Sequence, residues 1–250
     1  MIKNSLIFII NYFLKFGKTC FFCYIESIEQ YHANFNDMDI FILFIVIVIF
    51  LFSAVIHEVA HGEAANFLGD PTARLAGRLT LNPIKHLDPV GSIILPGFLI
   101  LISMVSGTGI IFGWAKPVPF NPYNLRDQKY GTAKVALAGP LANIFLALVF
   151  GLLLRFLPFS VNQFSQGLIL VFSYIIWVNL LLAVFNLLPV PPLDGSHILF
   201  ALLPARMENI KIMLSQYGLF ILLFIIFFLF QWLIPAINYL FYLIVGIPFF

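Results

Sequence analysis

His57-Glu58-Val59-Ala60-His61 constrains this chain more than any other stretch, because it lies at the end of a long apolar run, Ile40 to Ile56. On a helix, residues four apart share a face, so the two imidazoles can hold one metal ion. Two neutral nitrogens and an adjacent carboxylate able to take a proton from water suit a zinc hydrolase. With five His and five Glu in 250 residues, three such positions coincide by chance in about 0.2% of chains of this length. The location is stranger than the motif. An ionisable group inside a membrane segment costs roughly 2.5 kcal/mol or more and usually marks function. A soluble-type helix with surface histidines is the competing reading, and the apolar run speaks against it.

Composition supports the setting. Hydrophobic residues make up 62% of the chain and charged residues 10%, against about 25% charged in soluble domains. The chain is an integral membrane protein. A net charge of +2, with no basic-aromatic patch, gives no footing for nucleic acid. The 30 phenylalanines read as lipid-facing and packing surface. Cys20 and Cys23 stand as C-x-x-C, a spacing that can bind metal or form a redox pair. One such pair in an apolar stretch is more often incidental.

Along the chain, residues 1–37 differ from the rest. Lys3, Lys15 and Lys18 flank a short apolar stretch with no small-residue cleavage site after it, so the segment is expected to be an appendage outside the core fold. A single intramembrane domain is expected over 38–250, with its core at 38–203 and hydrophobic helices over 213–250. Ile40 to about Leu68 would span about 44 Å, longer than a hydrocarbon core of about 30 Å. The motif would lie about 10–16 Å from the helix's C-terminal end, and Gly69-Asp70-Pro71 stops the helix. Two basic loops follow, 72–91 and 115–134, with the Gly- and Pro-interrupted apolar stretch 92–114 between them. Short strands are expected near 73–81. Helices are expected over 132–157, 166–188 and 213–232, with Pro235 breaking the last run.

A catalytic zinc site needs a third protein ligand. The polar candidates beyond residue 135 are Asn143, Asn179, Asn186, Asp194 and His197. Asp194 stands out, because Pro189, Pro191 and Pro192 break the backbone before it, and broken backbone at membrane depth is tolerated where it lines a cavity. An N-cap role for the helix that follows is the plainer reading. Topology separates outcomes. If 92–114 crossed the membrane, the two basic loops would face opposite sides, against positive-inside bias, and Asp194 would emerge far from the histidines. If 92–114 dips in and returns, both loops are cytosolic and Asp194 arrives beside His57 and His61. The expected fold is therefore an all-α polytopic membrane protein with about four to six transmembrane helices, a re-entrant hairpin and short β segments near the cytosolic face.

These motifs together resemble the site-2 proteases, which are intramembrane zinc metalloproteases. His57 to His61 is similar to that family's metal helix, Asn186 to Gly195 to its N-x-x-P-x-x-x-x-D-G segment, and Gly139 to Asn143 to its G-x-x-x-N motif. Phe112 to Pro119 and Asn82 to Pro89 resemble the small bacterial branch without a PDZ domain. The resemblance implies that His57, His61 and Asp194 bind one zinc ion per chain and that Glu58 activates water and later protonates the leaving amine. It implies that Asn186 orients substrate or stabilises the oxyanion, with Asn143 also able to contact substrate. It further implies a multi-pass cell-membrane enzyme, its site toward the cytoplasm, cleaving the helices of single-span membrane proteins. Gly139 is more simply a packing device, the His86 and Asp88 pair a turn-fixing contact, His197 a residue of the cytosolic interface, and Trp114, Trp177 and Trp232 packing or interface anchors. The alternatives are a membrane metal transporter, which would not need Glu58, and a catalytically inactive homologue that binds membrane segments.

Overall fold

A computed structural model describes residues 35–86, 116–157 and 163–249, and within them the regular secondary structure is all helical. Helix α1 covers Phe35–Phe67, the one-turn helix α2 Thr72–Leu75, α3 Gly131–Phe156, α4 Gln163–Asn186, α5 Asp194–Leu202, α6 Glu208–Phe224 and α7 Phe230–Val245. Three stretches are long and apolar enough to cross a membrane: Phe44–Phe67, Gly131–Phe156 and Phe164–Asn186. Trp232–Val245 is a shorter apolar helix. Most of the described chain belongs to one compact unit, Ile49–Lys85 with Pro117–Phe249. Outside it, the Lys116 N–H donates to the His86 carbonyl at 2.9 Å. The re-entrant hairpin expected over 92–114, Asp88, Trp114 and the Cys20/Cys23 pair lie outside the described residues.

Within that unit, α3 carries the packing pattern. Val135, Gly139, Asn143, Ala147 and Gly151 are all buried, four residues apart, so they form one narrow stripe along the helix. Small residues let helix backbones approach where lipid offers no hydrophobic drive for association. The stripe's far end meets α7, where Ile244 fills the space beside Gly151 and Arg155 donates to the carbonyls of Leu243 and Ile244 at 3.1 and 3.3 Å. Leu137, Leu141, Phe145, Leu148 and Leu152, on other sides of α3, are exposed, as lipid-facing residues should be. Helix α4 is the most buried of the three long apolar helices and is the centre of the unit.

The end of α1 explains how the chain returns to the site. The Asp70 N–H reaches back to the Ala65 carbonyl at 2.9 Å and the Gly69 N–H to Asn66 at 3.2 Å. Gly69 takes φ +111°, the left-handed closure that favours glycine. Asp70 is wholly buried, and its carboxylate accepts four hydrogen bonds: Thr72 N–H at 3.2 Å, Thr72 hydroxyl at 2.5 Å, Asn121 N–H at 2.6 Å and Asn124 amide at 2.8 Å. The Arg126 N–H adds a bond to the Leu68 carbonyl at 2.9 Å. Ala65, Leu125 and Val135 pack beneath as a small apolar cluster. The 117–131 stretch is thereby fastened across the end of α1.

Two expectations are corrected. The strands near 73–81 are absent, because the Asp70 side chain starts a helical turn at Thr72 and Gly77, at φ +63°, ends it. Residues 116–119 are also not a strand. Nor does Pro235 break the last run: α7 passes through it, and the departure from α geometry comes upstream in a π-helical turn, Ile225–Leu229. A proline in a helix removes the one N–H bond to the residue four before it, and the π turn just upstream holds the irregularity.

Asp70 generates a stability prediction. Burial works to raise its pKa, but the hydrogen bonds from Thr72, Asn124 and Asn121 outweigh that and hold it below the usual carboxylate value. A depressed pKa means its contribution is complete above about pH 4, the unfolded value, and fades as pH falls through the lower folded value. Asp70→Ala should cost about 3 kcal/mol or more, read as a lower unfolding midpoint in detergent at pH 7. The difference from wild type should shrink in acid.

Candidate metal centre

Helix periodicity builds the site. Ser53, His57 and His61 lie four apart on α1, and Val135, Gly139 and Asn143 lie four apart on α3. The contacts run in opposite order along the two helices. The His61 Nδ1 lies 2.7 Å from the Val135 carbonyl and the His57 Nδ1 2.5 Å from Asn143 Oδ1, so α1 and α3 are antiparallel here. Helix α4 then runs back beside α3, and the segment after it returns Asp194 to the histidines. Asp194 Oδ2 is 3.0 Å from His57 Nε2 and 3.3 Å from His61 Nε2, and the two Nε2 atoms are 3.0 Å apart.

The hydrogen bonds decide what these short distances mean. A carbonyl cannot donate, so His61 Nδ1 must carry the proton shared with Val135. Asn143 is wholly buried, and its Nδ2 donates to the Ser53 carbonyl at 3.3 Å and to Asn179 Oδ1 at 2.7 Å. Its oxygen therefore faces His57, whose Nδ1 must also be the donor. Both neutral imidazoles then present bare Nε2 lone pairs to each other and to a carboxylate oxygen. With both rings neutral, three acceptors converge within 3.3 Å, an arrangement that a metal cation, or a proton on one Nε2, relieves. Nitrogen, nitrogen and oxygen are a donor set suited to zinc, and the second nitrogen of each ligand is held as metal-ligating histidines usually are. The residues fit the ion.

Glycines admit the geometry. A Cβ on Gly139 would lie 2.5 Å from His61 Nε2 and 2.6 Å from His57 Nε2. Gly139 thus does more than pack helices: it is the floor under the ligand atoms. A Cβ on Gly195 would strike the Leu187 carbonyl, since residues 186–195 fold back on themselves through bonds such as Leu193 N–H to Val190 O at 2.9 Å. Asp194 is the first residue of α5, whose N-cap is Leu193, so the N-cap reading gives way to the carboxylate facing the histidines.

Glu58 Oε2 accepts the Val118 N–H at 2.9 Å. A Cβ on Gly62 would lie 2.6 Å from Leu79 and 2.9 Å from Val118, so a larger residue there would push this strap away. Nothing in the residue pattern signals the Val118 contact, a long-range bond from a backbone amide. Asn143, expected near substrate, instead has both polar atoms engaged inside the helix packing. Asn186 donates to the Leu182 carbonyl of its own helix at 2.9 Å. His197 is exposed, in line with an interface position. Trp177 is buried and donates to Asn238 at 2.9 Å, whereas Trp232 is exposed.

A protein-family model described as Peptidase family M50 matches residues 45–229. A Bacillus subtilis (strain 168) protein named "Putative zinc metalloprotease YwhC" is 39% identical over 186 residues, which is 72% of this chain and 80% of the relative. A Mycolicibacterium smegmatis protein, "Putative zinc metalloprotease Rip2", is 31% identical over 202 residues, 80% of this chain and 70% of that one. A Methanocaldococcus jannaschii protein, "Putative zinc metalloprotease MJ0611", is 49% identical over 93 residues, 36% of this chain and 46% of its own. No solved structure matches.

Gly139→Ala tests the floor. Val135 and Asn143 hold the imidazoles from the far side, so the rings cannot retreat. Zinc affinity, measured by chelator competition, should fall about tenfold or more. Gly167→Ala, where an added Cβ meets nothing within 4 Å, should leave it unchanged.

Proposed function

The chain belongs to peptidase family M50 and is a zinc metalloprotease, and we propose that it cleaves peptide bonds within the membrane-embedded segments of other membrane proteins. The observation that carries this reading is the convergence of His57, His61 and Asp194 on a helix apolar enough to cross a bilayer. His57 lies ten residues and His61 six residues before the end of that span, about 15 and 9 Å below it. A hydrolytic site at such depth serves substrates that are themselves in the membrane.

In this reading His57 Nε2, His61 Nε2 and the Asp194 carboxylate hold zinc, which supplies Lewis acidity and lowers the pKa of water to about 7. Glu58 is the general base. Its carboxylate takes the proton of the attacking water and returns it to the leaving amine. The Val118 N–H on Oε2 fixes the side chain's rotamer and leaves Oε1 for proton transfer. Asn186, at the end of α4 where the backbone breaks, orients the substrate or its oxyanion. The non-helical strap at 117–121, which carries the Val118 N–H to Glu58, offers an edge on which an unwound substrate could pair.

Charge supports a cytoplasmic site. Arg74, Arg78, Lys85, Lys116, Arg126, Lys129 and Lys134 all belong to the segments between α1 and the start of α3, as positive-inside bias requires of a cytosolic loop. A fourth crossing is assigned to α6 and α7. Gly218 packs on Pro191, and Ile244 lies beside Gly151 near the end of α3, so the run from 208 to 245 reaches both ends of the bundle. The cell membrane, crossed several times, is the proposed location.

Glu58→Gln should lower cleavage of a purified single-span substrate by about 10²- to 10⁴-fold while zinc content stays at one per chain. Cleavage above about a tenth of wild type would remove the base role from Glu58.

A further inference from the structure

Behind His57 stands a chain of buried polar groups that the proposed chemistry does not use. Ser53, Asn143 and Asn179 come from α1, α3 and α4, and the two asparagines are 0% exposed. A buried amide in a membrane helix needs partners for both ends, and here every partner is found. Asn179 Nδ2 donates to the Ile175 carbonyl of its own helix at 2.8 Å and to the Ser53 hydroxyl at 2.9 Å. Its Oδ1 accepts from Asn143 Nδ2 at 2.7 Å. Asn143 Oδ1 in turn lies 2.5 Å from His57 Nδ1.

Direction is what this chain transmits. An asparagine can be flipped end for end, and nothing in its shape prevents that. The Ile175 carbonyl is an acceptor only, so it forces the NH₂ of Asn179 toward itself and the oxygen of Asn179 toward Asn143. That oxygen forces the NH₂ of Asn143 away from His57, and the oxygen of Asn143 toward it. The Ser53 carbonyl, at a longer 3.3 Å, acts in the same sense on Asn143 but more weakly. His61 has no such chain: the backbone carbonyl of Val135 holds it directly.

We propose that Asn179 is a positioning residue for the metal centre: anchored on the α4 backbone, it fixes the orientation of Asn143 and so holds His57 as the Nδ1–H tautomer, with Nε2 free for the ion. This rests on the reading of His57 as a ligand. The expected consequence is selective. Loss of Asn179 leaves Asn143 with one weak anchor, lets its amide flip, and brings an NH₂ to His57 Nδ1, which favours the wrong tautomer.

The test reads the imidazole ¹⁵N shifts of the full-length, ¹⁵N-histidine-labelled protein in detergent micelles. It is run metal-free at a pH where both rings are neutral, with zinc affinity then measured by chelator competition. Wild type should show the Nδ1–H tautomer at both His57 and His61. Asn179→Leu should give a mixed tautomer at His57, an unchanged His61, and zinc binding about 10- to 100-fold weaker. Ser53→Ala, which removes only the hydroxyl, is the milder variant should the first fail to fold, and should move His57 alone and by less. A His57 signal that stays pure Nδ1–H in both variants overturns the proposal, as does a change shared equally by His57 and His61. Wild-type protein that shows the tautomers but binds no zinc would instead defeat the reading of His57 as a ligand, and the assignment of Asn179 to a metal centre with it.

Discussion

Two imidazole lone pairs and a carboxylate oxygen held about 3 Å apart repel one another, and much of this bundle is arranged to keep them there. Val135 and Asn143 hold the rings from behind. Gly139 leaves the floor open, and Gly195 allows the α4–α5 connection to curl tightly enough to deliver Asp194. In a low-dielectric interior such a cluster is destabilising until a cation joins it, so metal binding and local folding are expected to be coupled.

The same constraint explains why polar residues sit so deep in an apolar bundle. Ser53, Asn143 and Asn179 would each be costly in a helix facing lipid. Placed where α1, α3 and α4 meet, they satisfy one another and two backbone carbonyls. Near the end of α1, Asp70 does comparable work for the loop: one buried carboxylate gathers donors from residues 72, 121 and 124. The strap so fastened carries Val118 to Glu58. The proposed base is thus oriented by a backbone amide 60 residues away in sequence, through a loop anchored outside the metal cluster.

Much of this was legible in the residues. The four-residue spacing of His57 and His61 needed only helix geometry, and the choice of Asp194 rested on the proline-broken backbone before it. The spacing of Val135, Gly139 and Asn143 was there to be read, as was one amide in the apolar run around Asn179. Their meaning depended on which helix each faced, which is a tertiary fact. Residues 73–81 looked strand-like because β-propensity ignores the Asp70 side chain that starts a helical turn. Pro235 looked like a terminator because a proline's effect depends on whether the neighbouring backbone bonds are already irregular. The Val118 amide could not have been found, since backbone groups leave no trace in composition.

The central claim is that one zinc ion is held by the two α1 histidines and the α5 aspartate. X-ray absorption at the zinc edge of the purified full-length protein tests it most directly. The account predicts a four-coordinate site of nitrogen and oxygen only, at about 2.0–2.1 Å, with the outer-shell scattering of two imidazoles and one of those ligands lost in Asp194→Ala. A sulfur ligand at about 2.3 Å, or a first shell with the scattering of fewer than two imidazoles, would contradict it.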